Sequence, residues 1–191
     1  MKTFDLAGQA REIVGKKASK AERANGVIPC VLYGGGEVLH FSVTSESVSK
    51  LIYTPNVYIV NLSVGGKEFK AIIKDMQFHP VTDRPLHLDF YQLSEDKPVV
   101  IAVPVKLNGL AEGVRSGGKL ALEKRLLRIK ALYTAMPDHL DIDVTALELG
   151  KSMQVGELSF EGLELMDAKE AVVCRVQLTR AARGAAAAAK K

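Results

Sequence analysis

The sequence predicts a mainly β (α+β) chain. A small antiparallel β-barrel with one or two short helices is expected over residues 1–94, a second all-β domain over 95–178, and a flexible basic tail over 179–191. Three observations carry this. Short apolar runs, several alternating with a period of two, recur along the chain and are bounded by Gly, Pro and Asp turn signals, as in all-β units. Only two stretches, one after Ser19 and one over 44–53, switch to a helical pattern. A polar break at Glu95-Asp96-Lys97-Pro98, suited to a linker, separates two strand-rich halves of different composition.

Residues 2–10 alternate weakly, with Phe4 and Leu6 on one side, as a first strand does. The stretch REIVGKKASKAERANGVIPCVLYGGG, residues 11–36, follows and brings Arg11, Lys16, Lys17, Lys20 and Arg23 together against only Glu12 and Glu22. Ser19 and Glu22 have capping-box spacing, in which the hydroxyl caps a helix start and the carboxylate reaches back to the cap's amide. A very short helix is therefore expected from Ser19, ending at Asn25-Gly26, where glycine accepts the left-handed conformation of a helix end. Lys16 and Lys20 lie four apart and Lys20 and Arg23 three apart, so they share a helical face. Like charges gathered this way repel unless an anion sits opposite, and the phosphates of a polyanion match that need. Basic loops are often merely solvated; here Tyr33, able to stack or to donate a hydroxyl, and Gly15 with Gly34-Gly35-Gly36, permitting close backbone approach, favour nucleic-acid contact.

VIPCVLYG from residue 27 and VLHFSV from 38 read as two strands joined by the triple glycine, the second with Leu39, Phe41 and Val43 on its packed side. From Thr44 to Tyr53 the period becomes helical: Val48, Leu51 and Ile52 form the buried stripe, Thr44 or Ser45 can cap it, and Pro55 blocks its continuation. VYIVNLSV, Gly65-Gly66 and KEFKAIIKDMQF make the clearest hairpin, because a diglycine supplies the positive dihedrals of a two-residue turn. HPVTDRP is a proline-bounded loop and LHLDFYQL the last strand of the first half. Beyond the break, VVIAVPVKL, LLRIKALYT, LDIDV, SMQV, LSFEGLEL and AVVCRVQL are further strand candidates, with GLAEGVRSGG a glycine-rich loop. RGAAAAAKK ends the chain as a frayed basic tail, having neither an apolar stripe nor a cap.

The 191 residues, 47% hydrophobic and 25% charged, suit two small cores and exclude wholesale disorder. No apolar run approaches the roughly 20 residues of a membrane span, and MKTFDLAGQARE lacks the apolar core of a signal peptide. A cytoplasmic protein with no membrane partner is expected. Cys30 and Cys174 sit in apolar runs as small hydrophobes, against a disulfide or metal reading. The net charge of +4 is unevenly spread: residues 95–178 hold eleven Lys and Arg against thirteen Asp and Glu, whereas the last thirteen residues hold four cations and no acid. Between 137 and 170 nine acids face only Lys151 and Lys169, which suits a protein contact better than RNA.

His79, His87 and Asp89 are the one cluster resembling an active site. His87 and Asp89, two apart on a strand, share a face, but no further ligand, second carboxylate pair or nucleophile with a base accompanies them, so they fit a binding surface better than catalysis. The glycine-rich loops lack the spacing of a phosphate-binding loop, and no cofactor is expected.

REIVGKKASKAERANGVIPCVLYGG, QFHPVTDRPLHLDF, PVKLNGLAEGVRSGGKLALEKRLLRI and LDIDVTALELGKSM, in that order, resemble the two-domain bacterial large-subunit ribosomal protein twenty-five family of the Ctc or general-stress type. The resemblance runs to about residue 178. It implies a non-enzymatic protein of the large ribosomal subunit that binds 5S ribosomal RNA at its loop E region in the central protuberance. It also implies a six-stranded N-terminal barrel similar to the anticodon-binding barrels of glutaminyl-type synthetases, with other large-subunit RNA and ribosomal proteins as further partners. Matched by position, Arg11, Lys16, Ser19, Lys20, Arg23 and Tyr33 fall on the loop-and-strand part of the family's RNA surface, and Gln77, His79, His87 and Asp89 on the part from the later strands. Lys17 joins them as one of the five clustered cations. Lys20 stands where an arginine is common, replacing a planar fork by a point charge, and Phe78 stands where a basic residue is common. The second reading is a ribosome- or RNA-associated stress adaptor whose acidic C-terminal domain recruits a protein.

Overall fold

The computed structural model describes residues 2–180, and the alanine-rich end of the expected tail lies outside the described residues. The described chain divides into two compact units: residues up to Val99 with Leu132–Thr134, and Val100–Ala131 with the described residues from Ala135 onward.

The first unit contains β1 (Lys2–Ala10), α1 (Lys16–Ala24), β2 (Val27–Tyr33), β3 (Leu39–Thr44), α2 (Ser45–Ile52), β4 (Tyr58–Val64), β5 (Lys67–Phe78) and β6 (Pro85–Gln92). The six strands close into a barrel in the order β1-β3-β2-β6-β5-β4. The expected barrel is therefore present, but it is mixed rather than wholly antiparallel: β1 runs parallel to β4, from Lys2↔Tyr58 to Gly8↔Val64, and β2 runs parallel to β6, from Cys30↔Leu88 to Tyr33↔Tyr91. Parallel neighbours need long crossovers, and α1 and α2 lie in the connections that make them possible.

Alternation sets the core. Leu6, Cys30, Leu32, Phe41, Leu62, Leu88 and Phe90 point inward, each no more than 2% exposed, and the Phe41 and Phe90 rings pack at 5.4 Å between centroids. Val48, Leu51 and Ile52, the predicted stripe of α2, join that cluster. The β4–β5 hairpin turns at Gly65 (φ 57) and Gly66 (φ 80), both left-handed as a two-residue type I′ connection requires.

The capping box at Ser19 does not form. α1 begins three residues earlier at Lys16, with Gly15 as its N-cap, and no side chain caps it. Ser19 and Glu22, on its second turn, are held by Arg11 instead. The helix ends at Ala24, with Asn25 as its C-cap and Gly26 at φ 74 just beyond, where Asn25-Gly26 predicted. None of its residues is buried, so contacts made by its polar side chains must hold it in place.

The second unit is built from most of β7 (Val99–Asn108), then α3 (Glu112–Arg115), β8 (Lys119–Leu122), β9 (Leu126–Ala131), β10 (Leu140–Asp143), β11 (Ser152–Gln154), β12 (Glu164–Leu165) and β13 (Val172–Gln177). They form a four-stranded sheet, β10-β7-β9-β12, and a three-stranded sheet, β11-β13-β8. The single turn of α3 inside the glycine-rich loop was not expected. Gly113 allows it, since a Cβ there would come within 2.5 Å of the Leu149 backbone nitrogen. The LSFEGLEL run yields only the two-residue β12. Asp167, buried to 1% of its side chain, accepts from Lys124 Nζ at 2.7 Å and from the Arg128 backbone N–H at 2.8 Å and Nε at 3.1 Å, fixing the end of that segment to β9.

Candidate nucleic-acid interface

Residue types on α1 divide it into two sides. Ala18, Ser19 and Glu22 are half-buried toward the barrel, while Lys16, Lys17 and Lys20 are exposed. These three lysines form no ion pair within the described residues. Two of them stand in the first turn, where the helix dipole already presents positive charge and no acid offsets it. Such an arrangement is unfavourable by itself and becomes favourable once an anion binds.

Arg11 behaves differently. Its side chain is only 7% exposed, its Nε donates to Glu22 Oε1 at 2.9 Å, its Nη2 lies 2.8 Å from Glu22 Oε2, and Nη2 also reaches Ser19 Oγ at 3.2 Å. The guanidinium is thus committed to the inner side of α1, and Arg11 and Ser19 brace the helix rather than face outward. Arg23 ties the other end: its Nε donates to the Leu86 carbonyl at 2.9 Å, holding the last turn of α1 to the start of β6 while the side chain remains exposed.

The outer face of the sheet follows from register. Inward Cys30, Leu32, Leu88 and Phe90 leave Val31 and Tyr33 of β2, and His87, Asp89 and Tyr91 of β6, pointing outward. Across the β5–β6 seam, Gln77 pairs with His87 and Asp75 with Asp89; across β2–β6, Val31 pairs with Asp89 and Tyr33 with Tyr91; across β2–β3, Val31 pairs with His40. One row, His40–Val31–Asp89–Asp75, therefore crosses four strands. His87 Nδ1 sits 2.7 Å from Asp89 Oδ1, which fixes the imidazole ring by its carboxylate neighbour and leaves Nε2 for another partner. Tyr33 meets Tyr91 edge to face at 5.7 Å and 80°. Burial, then the Asp89 and Asp75 carboxylates, push the Tyr33 hydroxyl above its ordinary value, so it remains a donor at neutral pH. Gly34 keeps this corner open: at φ +105 it is left-handed, and a Cβ there would lie 2.8 Å from Tyr91 Cε2.

The fold thus brings Tyr33, Gln77, His87 and Asp89 onto one outer face and places Lys16, Lys17 and Lys20 on the exposed side of α1, which Arg23 fastens to that sheet. It withdraws Arg11 and Ser19 into the support beneath. His79 lies past the end of β5, and its Nδ1 accepts the Val81 and Thr82 backbone N–H groups at 3.3 Å each. Asp75, His40 and Tyr91 share the outer face but were not singled out from sequence. Tyr91 was legible as the next outward position after Asp89; Asp75 and His40 needed the cross-strand register. Among the described residues no group of three His, Cys, Asp or Glu side chains could hold a metal ion, and no helix is long and apolar enough to cross a membrane.

Residues 6–90, the barrel that carries this face, match the ribosomal L25p family, and residues 98–180 match the C-terminal domain of ribosomal protein TL5. A large ribosomal subunit protein bL25 of Bacteroides thetaiotaomicron is 58% identical over 196 residues, covering all of both chains. The chain belongs to the ribosomal L25p family. Proteins of the same description from Parabacteroides distasonis and Porphyromonas gingivalis are each 60% identical, over 98% and 97% of this chain and 99% and 98% of theirs. As a member of that family the chain is a structural ribosomal protein and not an enzyme. The two family matches follow the two-domain order of the resemblance described above.

Proposed function

We propose that this protein binds 5S ribosomal RNA at its loop E region, within the cytoplasmic large ribosomal subunit at the central protuberance, through α1 and the outer face of β2, β5 and β6. The observation that carries the reading is the junction of the two halves. Exposed Lys16, Lys17 and Lys20, which form no ion pair among the described residues, stand on a helix whose Arg23 is hydrogen-bonded to the strand bearing His87 and Asp89. The lysines supply phosphate attraction and counterion release. Tyr33, Gln77, His87 and Asp89 offer donors and acceptors of fixed orientation, suited to base edges and ribose hydroxyls.

A side chain cannot read the deep, narrow major groove of A-form RNA, so a flat polar sheet face fits a shallow or distorted minor groove such as non-canonical pairs create. Residues 1–94 form the RNA-binding domain in this reading. Residues 95–178, with nine acids against two lysines between 137 and 170, supply a protein contact on the ribosome.

A footprint of the purified full chain on total ribosomal RNA tests this. Protection is expected at loop E of the 5S molecule and should survive an excess of random RNA. Protection confined to other RNA, or competed away by random RNA, would leave the stress-adaptor reading in its place.

A further inference from the structure

An exposed apolar ridge lies where β5 runs out, beside the end of α2. Tyr53 is 60% exposed, Phe78 38% and Val81 83%, and the Tyr53 and Phe78 rings lie 6.4 Å apart at a tilt of 44°. The underlying loop is tightly held. The His79 N–H donates to the Arg84 carbonyl at 2.8 Å, the Asp83 N–H to the His79 carbonyl at 3.0 Å, and the Val81 and Thr82 N–H groups to His79 Nδ1. The Tyr53 hydroxyl closes the arrangement by donating to the Asp83 carbonyl at 3.0 Å. Asp83 adopts φ 52, a left-handed conformation that a residue with a side chain adopts at a cost. These hydrogen bonds close the β5–β6 connection and keep it rigid while Tyr53, Phe78 and Val81 face water.

We propose that Tyr53, Phe78 and Val81 form a preorganised stacking platform for one unpaired base of ribosomal RNA. The proposal rests on the RNA-binding reading above and extends it to a surface outside the sheet face. Three features favour a base as the occupant. The ridge borders the proposed interface at the end of β5: Phe78 is the neighbour of Gln77, whose register partner is His87, and the register shifts between the two. Lys50, one helical turn before Tyr53, and Arg84, next to the register partner of Phe78, put positive charge on the elements that carry the rings, for the phosphates beside a stacked base. Three side chains match the size of a single base, whereas a specific protein interface covers about 800 Å² on each partner. Exposed aromatic faces stack on any base, and the alanine cost of such a contact corresponds to about 5- to 150-fold in affinity.

The chain contains no tryptophan, so Tyr53→Trp installs a single indole reporter. Titrated with purified 5S and large-subunit ribosomal RNA, the full-length variant should lose a large part of its indole emission at the concentrations where a gel shift reports binding. Tyr53→Ala should weaken binding about tenfold, Val81→Ser should weaken it less, and Tyr53→Phe, which keeps the ring and removes the Asp83 contact, should bind almost as the natural chain does. RNA binding at full affinity by Tyr53→Ala, with indole emission unchanged by RNA, overturns the platform and leaves the RNA-binding reading intact. Emission that responds only in the fully assembled subunit assigns the ridge to a protein neighbour and also overturns it. Loss of RNA binding in the natural chain itself removes both readings.

Discussion

Arg11 and Glu22 are joined at two points, Nε to Oε1 at 2.9 Å and Nη2 to Oε2 at 2.8 Å, with the arginine side chain 7% exposed. This pair anchors a helix that buries no residue of its own. It also explains why a cluster of five cations presents fewer than five charges to a ligand.

Removing one partner tests the anchor. Glu22→Ala leaves the buried Arg11 charge without its carboxylate, and should destabilise the protein by about 3 kcal/mol, the lower end for a broken buried pair because Glu22 retains some solvent. Urea unfolding should show a lower midpoint with little change in slope. An unaltered midpoint would mean that α1 is held by something else.

The lysines should act on affinity and not on stability. With Arg11 committed to Glu22, four of the five clustered cations remain for phosphates, and they should contribute about −3 to −4 to the log–log salt slope for RNA binding. Lys16→Ala, Lys17→Ala and Lys20→Ala should each flatten it by about 0.9, leaving the thermal midpoint in place. Arg11→Ala should lower the midpoint without changing the slope. A slope near zero for the natural chain would refute the electrostatic part of the interface.

Burial pushes the Cys30 thiol up to about 12, outweighing the nearby Arg11 charge, and burial followed by Glu157 pushes Cys174 up as well. Both thiols should resist a disulfide reagent at pH 8 in the folded chain and react promptly in denaturant. Because the folded values are raised, the corresponding stability is complete below the unfolded thiol value of about 8.5 and is lost as pH rises through it toward the folded values. Rapid labelling of the folded chain would show that a strand opens.

Asp167 gives the opposite sign. Burial alone would raise its carboxyl, but the hydrogen bonds from Lys124 and from the Arg128 backbone and side chain together hold it below the usual carboxylate range. Its contribution is therefore present above the unfolded value of about 3.9 and fades as pH falls through the depressed folded one. Thermal unfolding of the full chain should show a stability loss below about pH 4 that Asp167→Asn diminishes. An identical acid profile in both proteins would remove Asp167 from that role.

The positions legible in advance are those where a local rule and tertiary packing agree. The Val48, Leu51 and Ile52 stripe, the Gly65-Gly66 turn and the stop at Asn25-Gly26 each follow from contacts or dihedrals within a few residues. The capping box failed for the complementary reason: Ser19 and Glu22 satisfied a local rule, but Arg11, eight and eleven residues away, offered a stronger charged partner to both.

Sequence by itself determined the strand and helix inventory of the barrel, the residue types of its basic arm and, through ordered motifs, the family resemblance, because periodicity, turn chemistry and charge are properties of neighbouring residues. Tertiary structure alone decided that β1 and β4, and β2 and β6, run parallel, and that Asp75 and His40 join Asp89 in one row. It also decided that Arg11 braces the arm while three lysines face outward. Strand register and the choice of a salt-bridge partner depend on atoms distant in the chain but adjacent in space, and no local pattern encodes that adjacency.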